Sequence, residues 1–271
     1  MKVHNLFYLL IFTFNFLSCV TTKNAIKDFN NAEYFNAANK FEKTLKSGDA
    51  KNNFLLAESL RKSNRLWQAE KFYRDAIKNG IDDEMAYYYL VLSLKANNNY
   101  EQADSLINNY LIKGEDESVI SLLRKEAIYI NNLKNYPDTS YYRVKNLKAI
   151  NTKFAEYSPS FSNEKLYFVS NRQSEKIYSG TGTPFTDLYE IKSRGANVDI
   201  NSLKKLEDNI NQEKVNEGSI TFSEDGTYMI FAKGNDGKSS GRNNVDLYWS
   251  RFRRGGWTNP RLLNVNTSRS W

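Results

Sequence analysis

The distribution of hydrophobic and polar positions changes character twice along the chain. Leu6 to Leu17 form an almost unbroken apolar run, LFYLLIFTFNFL, interrupted only by Thr13 and Asn15. A membrane-spanning helix needs roughly 20 apolar residues, so this run has the length of a signal-peptide core instead. From Lys23 to Asn131 apolar residues recur at helical spacing. From Phe154 onwards helical periodicity vanishes and apolar and aromatic positions alternate with polar ones, as in strands.

The helical part repeats. Ala37, Leu45 and Gly48 are spaced like Ala69, Ile77 and Gly80, and like Ala103, Leu111 and Gly114, and the two steps between these triplets are nearly equal. A bulky residue precedes each alanine by three (Tyr34, Leu66, Tyr100) and another follows it by four (Phe41, Tyr73, Ile107). Each unit therefore predicts a helix, a stop and a helix. The alanine admits a close helix neighbour, and the glycine lies just past the helix end, where positive φ costs it little. Leu56/Leu60 and Leu90/Leu94 mark one face of the preceding helix, with Ala57 and Val91 as its small residues. A further amphipathic helix, Glu117 to Asn131, would cap the array.

This pattern resembles the tetratricopeptide repeat, although the closing proline is missing from all three units. The resemblance implies an α-solenoid that binds peptides or partner domains on a concave face. The residues there would be Phe54, Glu58, Arg61, Lys62, Tyr88, Tyr89 and Lys95. Simple packing is the competing role for Tyr88 and Tyr89.

The strand part repeats as well. Tyr157 to Arg172 and Gly218 to Gly234 each read as strand, turn, strand, with Ser162 and Ser223 in corresponding places. Asp187-Leu188-Tyr189 recurs at almost the same offset as Asp246-Leu247-Tyr248, and a hairpin and exit strand follow through Gly255-Gly256-Trp257 to Leu262. The first turn has Glu164-Lys165 where the second has Asp225-Gly226. These motifs resemble the WD-like repeats of TolB-type propellers.

Composition narrows the chemistry. The chain has 271 residues and a formal charge of +7; its one histidine is His4 and its one cysteine Cys19, both at the start of the chain. If that segment is processed, no imidazole or thiol remains. Ser-His-Asp and Cys-His hydrolysis, Cys/His zinc sites, disulfides and His- or Cys-ligated haem are then excluded. Ala232 to Ser239 fits a relaxed phosphate-loop pattern, but a strand rather than a helix is expected after it, so a polar loop is the reading. Gly234-Asn-Asp-Gly237 lacks the ligand spacing of an EF-hand loop. No cofactor, metal or catalytic residue is therefore assigned. Asp187, Glu190, Glu217 and Asp246 are the acids available to a carboxylate-dependent hydrolase, and the repeated positions of the two aspartates favour a structural role. Arg251, Arg253, Arg254, Arg261 and Arg269 form a basic strip, read as a solvated strand edge.

Phe16-Leu17-Ser18-Cys19 resembles a bacterial lipobox, whose cysteine is diacylated and becomes the new N-terminus. Together, the lipobox, helical repeats and WD-like strands resemble the front half of the OmpA-family envelope lipoproteins, one class of which serves type IX secretion and gliding. The expected organisation is α+β multidomain: a signal peptide over 1–18, tetratricopeptide-like repeats over 19–132, a linker over 133–153 and a partial WD-like β-propeller over 154–271. The resemblance implies a non-enzymatic, periplasm-facing outer-membrane lipoprotein that binds envelope proteins, with a hydrolase or small-ligand receptor as alternatives. Peptidoglycan would be a partner only through a downstream OmpA-like domain, and nucleic acid is not expected. Two blades alone would leave sheet faces open, so further blades are expected to complete the β part.

Overall fold

A computed structural model describes residues 22–135, 146–148, 150–172, 174–234 and 245–266. The lipobox with Cys19, residues 235–239 of the phosphate-loop-like stretch and Arg269 lie outside the described residues. The fold is α+β, and the chain divides after Ser140 into a helical unit and a β unit.

The helical unit consists of α1 (22–30), α2 (Tyr34–Thr44), α3 (Ala50–Lys62), α4 (Glu70–Lys78), α5 (Met85–Ala96), α6 (Tyr100–Lys113) and α7 (Glu117–Asn135). From α2 onwards each helix packs on the next, and α5 also meets α7. The repeated alanines Ala37, Ala69 and Ala103 are fully buried, and so are Phe41, Tyr73 and Ile107 four residues on. Ala57 and Val91 are equally buried, beside Leu56, Leu60, Leu90 and Leu94. Asp49 starts α3 by accepting a hydrogen bond from the Asn52 amide at 3.0 Å.

The turns inside the hairpins repeat too. Ala32, Asn64 and Asn98 all have φ near +60°, and each stands five positions before one of the repeated alanines. Gly48 and Gly80 also adopt positive φ, of 78° and 80°. Gly114 differs from the expectation: its backbone is extended (φ −75°, ψ 151°). A glycine is required there for another reason, because a Cβ would stand 2.3 Å from the Tyr110 ring.

The β unit holds two antiparallel sheets built alike. The first joins β1 (Glu156–Ser162), β2 (Lys165–Ser170), β5 (Asp187–Arg194) and β7 (Lys204–Lys205), with β6 (Asn197–Val198) folded onto the end of β5. A two-strand ribbon, β3 (Ile177–Tyr178) and β4 (Thr183–Pro184), precedes β5. The second joins β8 (Asn216–Phe222), β9 (Tyr228–Gly234), β10 (Val245–Arg253) and β12 (Arg261–Leu262), with β11 (Gly256–Trp257) in the place of β6.

Register shows how close the copies are. Tyr189 faces Lys205 as Tyr248 faces Leu262, and Ser193 faces Val198 as Phe252 faces Trp257. Both first strands bulge, between Tyr157 and Ser160 and between Gly218 and Thr221, around Ser158 and Ser219 at φ 51° and 48°. The first turn is the shorter. Asn163 and Glu164, both at positive φ, close a two-residue hairpin between Ser162 and Lys165. In the second copy the chain loops from Ser223 to Tyr228 through Gly226 at φ 66°. Asp225 fixes that loop by accepting from Ser223 Oγ and from the amide and hydroxyl of Thr227. Leu166 thus corresponds to Met229.

Tyr167, Val169 and Leu188 on one face of the first sheet share a core with Met229, Phe231 and Trp257 of the second. The first sheet's other face buries Leu166, Phe168, Tyr189 and Ile191 against Ile150 and Leu147. These last two residues come from the stretch 133–153 expected as linker, of which 136–145 and 149 lie outside the described residues.

Candidate protein-binding face

Phe54, Glu58, Arg61, Tyr88 and Tyr89 of the expected concave face join through Tyr73 into one chain of contacts, and Lys62 and Lys95 flank it. Glu58 is buried at the centre of α3. Its carboxylate accepts from Arg61 Nε at 2.8 Å and Nη2 at 2.6 Å, and from the Tyr73 hydroxyl at 2.5 Å. The i, i+3 spacing on α3 puts acid and base on one face, and Tyr73 reaches in from α4. The Arg61 guanidinium lies 3.9 Å from the centre of the Tyr89 ring. Rings continue the strip in both directions: Phe54 meets Tyr73 edge-on at 6.2 Å, Tyr73 meets Tyr89 at 6.0 Å, and Tyr89 meets Tyr88 at 5.5 Å. Beyond them Lys95 pairs with Glu126 of α7 and lies 4.0 Å from the Tyr129 ring centre. At the opposite end exposed Lys62 stands 5.3 Å from the Tyr34 ring.

The electrostatics follow from this packing. Burial and the adjacent Glu58 carboxylate push the Tyr73 hydroxyl well above the usual phenol range. Burial opposes the charge on Arg61, but Glu58 outweighs it and holds the guanidinium more firmly protonated. Burial, then Glu126 and Tyr89, raise Tyr88. Burial and then Glu58 raise Tyr34, which ties the Lys62 end of the strip to its centre. Partly buried tyrosine rings interleaved with cations offer stacking, hydrogen-bonding and charge-assisted contacts together. Tyr88 and Tyr89 pack against the helical core, yet both rings stay partly open to solvent.

Sequence reasoning missed Tyr73, Glu126 and Tyr129 as members of this face. A signal was available for Glu126, because its distance along the chain from Lys95 is close to the repeat period.

In the β unit two of the acids available for hydrolysis, Glu190 and Asp187, are engaged in ion pairs. Glu190 contacts Lys165 at 2.8 Å and Lys204 at 3.2 Å, and Asp187 contacts Lys205 at 2.8 Å. Asp246 lies opposite Lys233 in the strand register. Glu217, 1% exposed, lies 3.3 Å from the Lys233 ammonium and accepts from the Gln212 amide. Its counterpart in the first sheet, Glu156, likewise receives a preceding amide, that of Thr152, and an adjacent cation, Arg172. Asp187 lines a cleft of about 550 Å³ with Lys205, Asp208 and Asn211. Among the described residues no group of three or more His, Cys, Asp or Glu could hold a metal ion.

Burial lifts the Glu217 carboxyl to about 8, although Lys233 opposes the shift. A folded pKa above the unfolded one means that the native state binds the extra proton. Stability from this group is complete below the unfolded value, about 4.3, and is lost as pH rises through about 8. Glu217→Gln is expected to flatten the decline in urea midpoint between pH 5 and 9. A slope equal to that of the parent would contradict this assignment.

Comparison of the chain with protein-family models, curated proteins and solved structures gives no match.

Proposed function

We propose that this protein is a non-enzymatic scaffold of the cell envelope that binds protein partners through the face running across α3, α5 and α7. The observation that carries this reading is the strip from Lys62 through Glu58, Arg61, Tyr89 and Tyr88 to Lys95 and Tyr129. The near-regular repeats of helix, left-handed turn and helix support a tetratricopeptide-like array as its frame. The matched registers of the two sheets support WD-like blades of a propeller. The lipobox-like Leu17-Ser18-Cys19 supports anchoring through acyl chains on Cys19 in the outer membrane, facing the periplasm, within an OmpA-family or type IX secretion assembly. The lysine pairs of Asp187 and Glu190, and the recurrence of Glu217 as Glu156 in the first sheet, favour the scaffold over a carboxylate hydrolase.

The Tyr88→Ala/Tyr129→Ala double variant removes two partly open rings and leaves the Glu58–Arg61–Tyr73 cluster intact. Its circular dichroism is expected to match the parent, while the complexes that the parent forms in cells, resolved on native gels, should weaken at least about tenfold. Unchanged complexes would place partner binding elsewhere.

A further inference from the structure

We infer that the outward face of the second sheet binds an acidic segment of a partner protein, whose carboxylates the Arg251 and Arg261 guanidiniums receive. The inference goes beyond the scaffold reading and is independent of the helical face.

The two sheets can be compared residue by residue, because their registers match. Tyr167 faces Glu190 as Ile230 faces Trp249, and Glu190 faces Lys204 as Trp249 faces Arg261. Lys165 faces Lys192 as Tyr228 faces Arg251. In the first sheet the chain itself supplies an acid to this group. Glu190, 4% exposed, lies 2.8 Å from the Lys165 ammonium and 3.2 Å from that of Lys204. In the second sheet the cations are kept, Arg261 in the place of Lys204 and Arg251 in the place of Lys192, but Trp249 stands where the acid was. One position of the fold thus holds a carboxylate among cations in one copy, and cations without a carboxylate in the other.

The strands of the second sheet do not replace that acid from elsewhere. Successive residues of a strand point to opposite sides, so Val245, Leu247, Trp249, Arg251 and Arg253 share the outward side of β10. Glu217 and Asp246, the two acids in these strands, both face Lys233 in the register and lie on the inward side with Met229 and Phe231. Among the described residues none of Arg251, Arg253 and Arg261 has an ion-pair partner. Arg251 is not at a sheet edge either, since β10 is paired on both sides.

Aromatic rings hold the two guanidiniums in place. Arg251 lies over the Tyr228 ring at 5.2 Å and Arg261 over the Trp249 ring at 5.7 Å, and the two rings are 5.9 Å apart. A ring beneath a guanidinium restrains it but takes up none of its in-plane N–H donors. Those donors match the two oxygens of a carboxylate. The pairing with rings therefore prepares the cations for an external acid and does not substitute for one.

The rest of the face sets the kind of partner. Along β10, Val245 and Leu247, 43% and 37% exposed, come before Trp249, and Arg251 and Arg253 come after it. The face grades from apolar to basic along a single strand. A polypeptide with apolar residues beside Asp or Glu complements that gradient, whereas a plane of lipid headgroups presents the same charge at both ends.

The test titrates the full chain into a fluorescein-labelled peptide with leucines in one half and glutamates in the other, followed by anisotropy. Saturable binding is expected, and added salt should weaken it. Arg251→Gln/Arg261→Gln should weaken it at least about tenfold, and so should Trp249→Glu, which gives Arg261 the internal acid that Glu190 gives Lys204. Circular dichroism and the urea midpoint of each variant check that it is folded. Tyr88→Ala/Tyr129→Ala should bind the peptide as the parent does, which keeps this face separate from the helical one. No saturable binding by the parent, binding indifferent to salt, equal binding by folded variants, or equal binding of a peptide with Lys in place of Glu overturns the proposal. Capture of phosphatidylglycerol vesicles without binding of the peptide overturns it in favour of a membrane. A dimer on size-exclusion chromatography that Arg251→Gln/Arg261→Gln breaks overturns it in favour of a second copy on this face.

Discussion

Glu58→Ala is expected to destabilise the helical unit by about 3–5 kcal/mol, the usual cost of removing one partner from a buried ion pair. The carboxylate satisfies two Arg61 donors and the Tyr73 hydroxyl, and it is 6% exposed. Alanine leaves a guanidinium without its counter-charge and a phenol, on a fully buried ring, without its acceptor. Tyr73→Phe should cost less, about 1 kcal/mol, because one neutral hydroxyl is lost and Glu58 keeps Arg61. Urea titrations of the full chain followed by helical circular dichroism would measure both. Equal small losses for the two variants would mean that the cluster contributes little to holding α3 and α4 together.

Phe231→Ala is expected to cost the β unit about 3–5 kcal/mol, from lost burial and the cavity left between two packed sheets. Phe231 is fully buried and its ring centre lies 6.3 Å from that of Tyr248. Leu247→Ala, on the other face of the same sheet, should cost less than about 1 kcal/mol, since much of that side chain is already in water. The contrast can be followed by the fluorescence of Trp257, which shares the core with Phe231. Comparable losses at Phe231 and Leu247 would mean that the outward face is covered.

The parts of the fold that were legible in the sequence are those written in repeated side chains. The alanines at 37, 69 and 103 mark close helix contacts directly, because only a small side chain fits there. The Asp-Leu-Tyr pair marks the third strand of each sheet. Turns were less legible. Asn163-Glu164 gives no glycine signal, yet both residues adopt positive φ, which asparagine tolerates and glutamate seldom does. The resulting two-residue hairpin shifts the alignment of the following strand, so Leu166 matches Met229 and not Thr227, where the serine offset alone would put it. Gly114 satisfied the expected pattern for a different cause, the approach of the Tyr110 ring. The equivalence of Asn211 and Asn266 is not written in their spacing, which is shorter than either repeat offset; it lies in the bonds that each makes, Asn211 to Leu188 and Asn266 to Leu247. The proposed binding face was half legible. Spacing within α3 and α5 located Glu58, Arg61 and Tyr88, whereas Tyr73 and Glu126 enter it from other helices through contacts that no local period encodes.

The most direct measurement of partner binding is site-specific photo-crosslinking in living cells. A photoreactive amino acid would replace Tyr88 on the strip and, in a separate chain, Asn108, an exposed residue of α6. The expected result is a discrete set of crosslinked protein species from position 88 that is absent from position 108. Identical crosslinking from both positions, or none from position 88 in cells whose protein is folded and full length, would contradict a scaffold that binds its partners through this face.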